Sequence, residues 1–347
     1  MAGTFLSVVI PSYNGRSLLA TCLPAVFRAI SAAGVSAEVV VVDDASSDGT
    51  AEWCAKTWPA VRVVRLGENG GFARAANAGA AARSGEWIAM LNNDAVPDAG
   101  WIAGASLDRR AADVAAVASK IVYARNRRIV ESAGDGYTVA GLAYQGLNGR
   151  TEDGAGESRR VFSACAAAAF YRRTAFEEAG GFDEKFESYY EDVDLAFRLN
   201  LLGWQVLYEP RSVSFHGAGK TYGANPARRI RNSARNSETV FFSCMPAALL
   251  VRCIPRHVAA VFAQAVLRAW QGRLTPFVLG KLDFLRHIPF VLARRRAVQA
   301  ARRADIRSLN AVIDPKWLRR HILERAGASD DAGSSRGRLF PAAARAH

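Results

Sequence analysis

The sequence predicts an α/β fold: a mostly parallel sheet with helices on both faces, followed by an amphipathic helical extension. Three observations carry this. Continuous β-branched runs such as Glu38–Asp43 (EVVVVD) alternate with helix-like runs over the first 120 residues, the mark of strands buried on both faces. Polar, acidic or glycine-rich turns close each run. Beyond residue 225 the rhythm changes to a 3.6-residue apolar period in a basic background.

In order, Leu6–Pro11 reads as a short strand broken by Ser12-Tyr13-Asn14-Gly15, and Arg16–Ala33 as a helix. Glu38–Asp43 ends in Asp44-Ala45-Ser46-Ser47-Asp48-Gly49. Thr50–Thr57 reads as a helix, Val61–Leu66 as a strand, Phe72–Arg83 as a helix and Glu86–Leu91 as a strand. Residues 124–160 are rich in glycine and charge and predict a loop or hairpin over the sheet. Val161–Tyr171 returns as a strand, and Gly180-Gly181-Phe182-Asp183 leads into an acidic helix. Trp204–Tyr208 and Ser212–Phe215 predict two further strands. His257–Trp270 places Val258, Val261, Phe262, Ala265, Val266, Ala269 and Trp270 on one helical face, and Phe277–Ile288 repeats the pattern. From about residue 326 the Gly/Ser/Ala/Arg composition predicts disorder. The division expected is therefore 1–225 for the catalytic unit, 226–325 for basic helices and 326–347 for a tail.

With 50% hydrophobic and 22% charged residues the chain is globular. Its five cysteines form no CxxC pair, which points to buried thiols of a reduced compartment. Leu6–Pro11 is too short for the core of a signal peptide. No run of about 18 uninterrupted apolar residues exists, so no spanning helix is expected. The net charge of +13 is uneven: residues 226–347 hold 23 Lys+Arg against 7 Asp+Glu. A basic amphipathic region suits an anionic membrane surface, or packing on another subunit. No aromatics are interleaved with the arginines, so nucleic acid is not an expected partner.

Ligands of open α/β sheets bind at the carboxyl ends of strands. Asp43 and Asp44 stand there, able to accept from a base N–H or a ribose hydroxyl, or to cap a helix. Tyr13 can stack on a base or brace its loop. Glu68–Arg74 has the form of a glycine-assisted helix start that attracts phosphate. Leu91-Asn92-Asn93-Asp94 delivers a carboxylate from a strand end, suited to a hard divalent cation or to an N-cap. His216, after the last strand, is a metal or phosphate ligand, or a structural residue. Glu191, Asp192 and Asp194 open a helix whose aromatic neighbours imply partial burial. A carboxylate held ionised at a helix N-terminus suits a catalytic base.

Taken in order, SVVIPSYNG, VVVVDDASSDGT, ENGGFARAANAG, LNNDAVP, GGFDEKFESYYEDVDLAFRLNLLGW and SVSFHGAG resemble the inverting glycosyltransferases of family 2, in their rhamnosyltransferase and galactofuranosyltransferase-like branch. The resemblance spans roughly residues 5–225. It implies a GT-A (Rossmann-like) fold, a nucleotide-diphosphate sugar donor, dTDP-rhamnose first, and a divalent cation, Mg²⁺ or Mn²⁺. It implies Tyr13, Asp43 and Asp44 as nucleotide contacts with Arg74 near the phosphates, and the same strand ends add Pro11, Asn14 and Asn93. Asp94 matches the last acid of the family's DxD motif, whose first acid is replaced here by Asn92. His216 matches a metal-ligand histidine. Asp192 matches the base that activates the acceptor, with Glu191 beside it, and Phe182, Asp183 and Trp204 fall on the acceptor side. The acceptor implied is a saccharide or polyprenyl-linked saccharide at the cytoplasmic face of the membrane. The processive branch's QxxRW is absent, since Gln299-Ala300-Ala301-Arg302-Arg303 lacks the Trp, so one or a few sugars are expected per acceptor. The alternatives are a nucleotide-sugar-binding scaffold that has lost catalysis and a nucleotidyltransferase.

Overall fold

The computed structural model describes residues 5–82, 84–151, 155–217 and 225–318. The tail expected at 326–347 lies outside them. Four parallel strands with three helices begin the chain: β1 (Phe5–Ser12), α1 (Arg16–Ala33), β2 (Ser36–Asp43), α2 (Thr50–Thr57), β3 (Val61–Arg65), α3 (Gly71–Ala81) and β4 (Trp87–Leu91). Side-chain alternation along these strands divides the core in two. Val9, Val40 and Val42 point to α3, while Val8, Ile10, Val39 and Val41 point to α1. Gly79 lets α3 lie close to the sheet: a Cβ there would meet Val9 Cγ1 at 2.3 Å.

Next come β5 (Ala95–Pro97), α4 (Trp101–Ala105) and β6 (Val114–Tyr123). The stretch expected as a loop or hairpin holds β7 (Val130–Ala133), β8 (Asp135–Thr138), β9 (Ala143–Gln145) and β10 (Arg159–Val161). It lacked a legible period because each of its strands is only three or four residues long. β11 (Ala168–Arg172), α5 (Arg173–Glu178), α6 (Glu191–Leu201) and β12 (Gln205–His216) complete the sheet, in the order β10-β12-β6-β11-β4-β1-β2-β3. The strand expected at Val161–Tyr171 is confined to β11, which runs antiparallel between β4 and β6. The two strands expected at 204–215 are one, β12, with a register shift between Glu209 and Val213.

Glu209 at that irregularity is buried. It accepts from Arg110 Nη2 (2.8 Å), Ser158 Oγ (2.8 Å) and Arg211 Nε (3.0 Å). Burial alone would raise its carboxyl, but these donors bring it down from 4.5 to about 2. A depressed carboxylate stabilises the fold above its unfolded value, and that contribution is lost as pH falls toward about 2. Glu209→Gln is expected to lower unfolding stability at pH 7 by about 1–2 kcal/mol, since solvent at the exposed Arg211 screens part of the pairing. The gap from the parent should narrow at pH 3, as read by urea titration.

The remaining helices are α7 (Pro226–Cys244), α8 (Ala247–Trp270), α9 (Leu274–Arg286), α10 (Ile288–Ala300) and α11 (Ile306–Asn310), followed by β13 (Ile313–Asp314). They are tied to the sheet region. β13 pairs with β8, and Arg294 of α10 reaches Asp183 and Asp194. The apolar face expected on α8 is divided: Val261 and Ala265 pack on Ile230, Ala234 and Phe277, whereas Val258, Phe262, Val266 and Trp270 are exposed.

Contrary to the expectation from uninterrupted runs, α8 is long and apolar enough to cross a membrane, with a mean hydropathy of 1.3. Its arginines break every long run without lowering the average enough to exclude it. It is nevertheless fastened to the body. His257 bonds Glu238 of α7 (2.8 Å) and the Ala140 carbonyl (2.8 Å), and its ring stacks on Phe241. The five cysteines are free.

Candidate active site

The carboxyl ends of β1 and β4, the start of α6 and the end of β12 converge on a cavity of about 560 Å³. Of the expected residues, Pro11, Asn93, Asp94, Glu191, Asp192 and His216 line it.

Asp192 and Glu191 are adjacent but differ in environment. Asp192 accepts from the backbone N–H of Val193 (2.8 Å) and of Ala166 (3.2 Å). Burial raises its carboxyl above the aspartate range, and these two donors limit the rise. Glu191 is buried, and its Oε2 has no hydrogen-bond partner. Burial and then the Asp192 charge push it well above the glutamate range. Of these two neighbouring acids, Glu191 is pushed further toward its neutral form, while the backbone donors favour the charged form of Asp192. Asp194, the third acid, points away from the cavity. It pairs with Arg198 (2.8 Å) and Arg294 (2.5 Å), which hold it below the aspartate range despite burial.

At the opposite wall His216 Nε2 lies 3.1 Å from Asp94 Oδ1 and 3.2 Å from the Asn92 amide. Its Nδ1 faces both oxygens of Glu131, at 2.9 and 3.1 Å. Burial lowers the imidazole, but the hydrogen bonds to Asp94 and Glu131 raise it to about 10. A carboxylate on Nδ1 fixes ring orientation and leaves Nε2 to act beside Asp94. One hard oxygen and one imidazole nitrogen suit a divalent cation whose other ligands come from phosphate and water. The donors present fit such an ion once the imidazole gives up its Nε2 proton, as metal ligation requires. A second cluster, Asp135, Cys165 and Asp192, has its ligand atoms within 4.8 Å of one another. It is a poorer cage, because burial keeps the Cys165 thiol protonated and Asp135 Oδ1 already accepts from Ser132 (2.5 Å).

The other expected nucleotide residues stand at the ends of β1 and β2, outside the cavity wall. Asp43 is fully buried, and its Oδ2 has no hydrogen-bond partner, with Arg65 3.7 Å away. That orphaned acceptor fits a base N–H or a sugar hydroxyl. Asp44 caps α3 through the N–H groups of Gly70 (2.8 Å) and Gly71 (3.0 Å). Tyr13 is half-buried. Asn14 joins its loop to Ser47 (2.8 Å).

Four more of the expected residues lie outside the cavity wall. Arg74 is paired with Glu68 (2.7 Å) and does not line the cavity. Phe182 packs in an aromatic cluster with Phe72, Tyr171 and Phe176, because a buried ring after two glycines fills the core. Asp183 caps the next turn at Lys185 N (3.1 Å) and pairs with Arg294 (2.9 Å). Trp204 bonds Glu178 (2.6 Å). None of the last three faces the cavity either.

Residues that sequence reasoning missed complete the wall: Tyr123, Arg125, Glu131, Gln145, Tyr189 and Arg229. Glu131 sits in the stretch without a legible period, and Arg229 belongs to the helices assigned elsewhere. The loop before α6 holds Glu187, Tyr189 and Tyr190 at φ of 61°, 71° and 72°, strained for residues with side chains. Helix α7 keeps it there. Asn236 Nδ2 donates to the carbonyls of Phe186 (3.0 Å) and Tyr189 (2.7 Å), and Arg228 and Arg235 grip Glu187 at 3.0 and 3.3 Å.

Comparison with known proteins agrees with this architecture. The chain is 29% identical over 236 residues to an N-acetylglucosaminyl-diphospho-decaprenol L-rhamnosyltransferase of Mycobacterium tuberculosis, covering 59% of this chain and 73% of that one. It is 28% identical over 318 residues to a pre-mycofactocin glycosyltransferase of the same species, covering 88% and 60%. Among solved structures it is similar to the mannosyltransferase PcManGT from Pyrobaculum calidifontis in complex with GDP-Man and Mn²⁺, with a TM-score of 0.53, 20% identity and coverage of 81% and 86%. The structure of S. aureus TarS 1-349 in complex with UDP-GlcNAc gives a TM-score of 0.52 at 16% identity, covering 85% and 88%. Both share the GT-A fold. The model of glycosyl transferase family 2 matches residues 7–180, and the chain belongs to that family of glycosyltransferase enzymes.

Proposed function

We propose that this enzyme transfers one sugar, with inversion, from a nucleotide-diphosphate sugar to a hydroxyl of a saccharide carried on a lipid. The observation that carries the reading is the acid pair in the cavity: Asp192 held by two backbone N–H groups, beside a Glu191 whose Oε2 has no hydrogen-bond partner. Asp192 takes the proton of the acceptor hydroxyl as that oxygen attacks the anomeric carbon, and the nucleoside diphosphate leaves on the opposite side. One such displacement inverts the configuration. A nucleophilic carboxylate of the retaining kind is not required.

Asp94 and His216 would hold a divalent cation, Mg²⁺ or Mn²⁺, with Glu131 orienting the imidazole. When bound, that ion would neutralise charge on the diphosphate. The ends of β1 and β2, with the orphaned Asp43 oxygen, take the base and ribose. By likeness to the mycobacterial rhamnosyltransferase, dTDP-rhamnose is the first donor to test and a polyprenyl-diphosphate saccharide the first acceptor. The test is transfer from a panel of nucleotide sugars, each with Mg²⁺, Mn²⁺ or EDTA, with the product anomer read by NMR. Retention of configuration, or no transfer from any donor, would overturn the reading.

We further propose that residues 1–225 form the catalytic unit and that the helices of 226–325 dock it on the inner face of the plasma membrane. Val258, Phe262, Val266 and Trp270 of α8 and Val278, Leu282 and Leu285 of α9 are exposed. They lie within residues 226–347, whose net charge is +16. Apolar insertion combined with about 1 kcal/mol per basic residue near anionic headgroups supports peripheral binding. The chain is expected to co-sediment with anionic vesicles and not with zwitterionic ones. A Phe262→Ser/Trp270→Ser variant should lose most of that binding, and undiminished binding would remove α8 from the contact.

A further inference from the structure

The cavity poses a charge problem. Its wall carries five acidic side chains, from Asp94, Glu131, Asp135, Glu191 and Asp192. A diphosphate entering it needs cationic partners from the protein as well as any ion. Arg74, which the sequence offered for this, is paired with Glu68 outside the wall. Two arginines do line the cavity, Arg125 and Arg229. Arg125 stacks over the Tyr123 ring at 5.4 Å.

Arg229 stands out among its own neighbours. Along α7, Arg228 pairs with Glu187, Arg231 with Asp283, and Arg235 with Glu187. Among the described residues the Arg229 guanidinium carries no ion pair, although it is exposed on a helix whose other arginines all do. It occupies the first turn of a 19-residue helix, where the backbone dipole adds positive potential. Its station is fixed, because the same helix clamps the strained loop at Glu187–Tyr190 through Arg228, Arg235 and Asn236. Arg229 and that loop therefore hold a constant relation to the base at the start of α6.

We propose that Arg229 is a diphosphate-binding residue of the active site, facing a ligand that carries two linked phosphates. The inference rests on the reading above, in which both the donor and a lipid-linked acceptor contain such a group. A planar guanidinium forms two parallel hydrogen bonds to phosphoryl oxygens, and its attraction grows as the bridging oxygen takes on charge.

The test is calorimetric titration of the full-length chain and its Arg229→Ala and Arg229→Lys variants, with and without Mg²⁺. The probes are dTDP, UDP and GDP, their monophosphates, farnesyl diphosphate and farnesyl monophosphate. Arg229→Ala is expected to weaken diphosphate binding about tenfold or more while monophosphate binding changes less than about twofold, and Arg229→Lys should fall between. A loss confined to the nucleoside diphosphates assigns Arg229 to the donor. A loss confined to farnesyl diphosphate assigns it to the acceptor. Equal diphosphate binding by parent and Arg229→Ala overturns the proposal. A parent chain that binds farnesyl diphosphate but no nucleoside diphosphate instead removes the donor reading, and the prenyl comparison still decides Arg229. A parent that binds no diphosphate overturns both. Thermal melts of the variants should match the parent, since the side chain is exposed.

Discussion

Replacing Asp192 by Asn is expected to lower turnover about a thousandfold while donor affinity stays within a few-fold, since a positioned base contributes on the order of 10²–10⁴. The amide keeps the size of the side chain and removes its basicity. Glu191→Gln should behave differently. Burial and the Asp192 charge push Glu191 toward its neutral form, so a neutral amide there is a close mimic and most activity should survive. The pH profile gives an independent check. A base must be ionised to act, and the Asp192 carboxyl is raised. Activity should therefore fall on the acid side at a pH above the ordinary aspartate range. Glu191→Gln should leave that limb in place. An Asp192→Asn enzyme within tenfold of the parent would remove Asp192 from the role.

The second large effect is on stability. Asp194 is fully buried and neutralises two arginines, Arg198 from its own helix and Arg294 from α10. Asp194→Asn leaves Arg198 in a dry site without its carboxylate and leaves Arg294 with Asp183 alone. Breaking one side of such a cluster costs about 3–5 kcal/mol. The urea midpoint should fall accordingly, and turnover should fall with it because Asp194 lies two residues from the base. Adding Arg294→Met should return part of the lost stability, since the uncompensated charge is then removed along with its partner. An unfolding free energy within about 0.5 kcal/mol of the parent would show that the cluster is dispensable.

The parallel half of the sheet was legible because its strands are buried on both faces and need unbroken β-branched runs, as in Glu38–Asp43. Asp94, Asp192 and His216 were legible because each closes or opens a well-marked element. The placing of Phe182 was not legible, because a resemblance assigns a residue to a side of the site and not a direction to its ring, which is buried in the core. Glu131 and Arg229 were missed for a different reason. Each acts across a long sequence separation, on His216 and on the cavity beside Tyr189, and no local pattern encodes a partner that far away.

The Asp194–Arg294 pair also bears on how the chain matures during synthesis. The two residues are 100 positions apart, and Tyr144 waits 170 positions for Asp314. A ribosome adding about 5–20 residues per second releases α6 several seconds before its counter-charge exists. During that interval the parallel strands can assemble, but the base helix holds an acid that has only Arg198 to meet. Nascent chains halted before residue 294 should therefore show a protease-resistant sheet and a protease-sensitive α6. Resistance at α6 should appear only once α10 has cleared the exit tunnel.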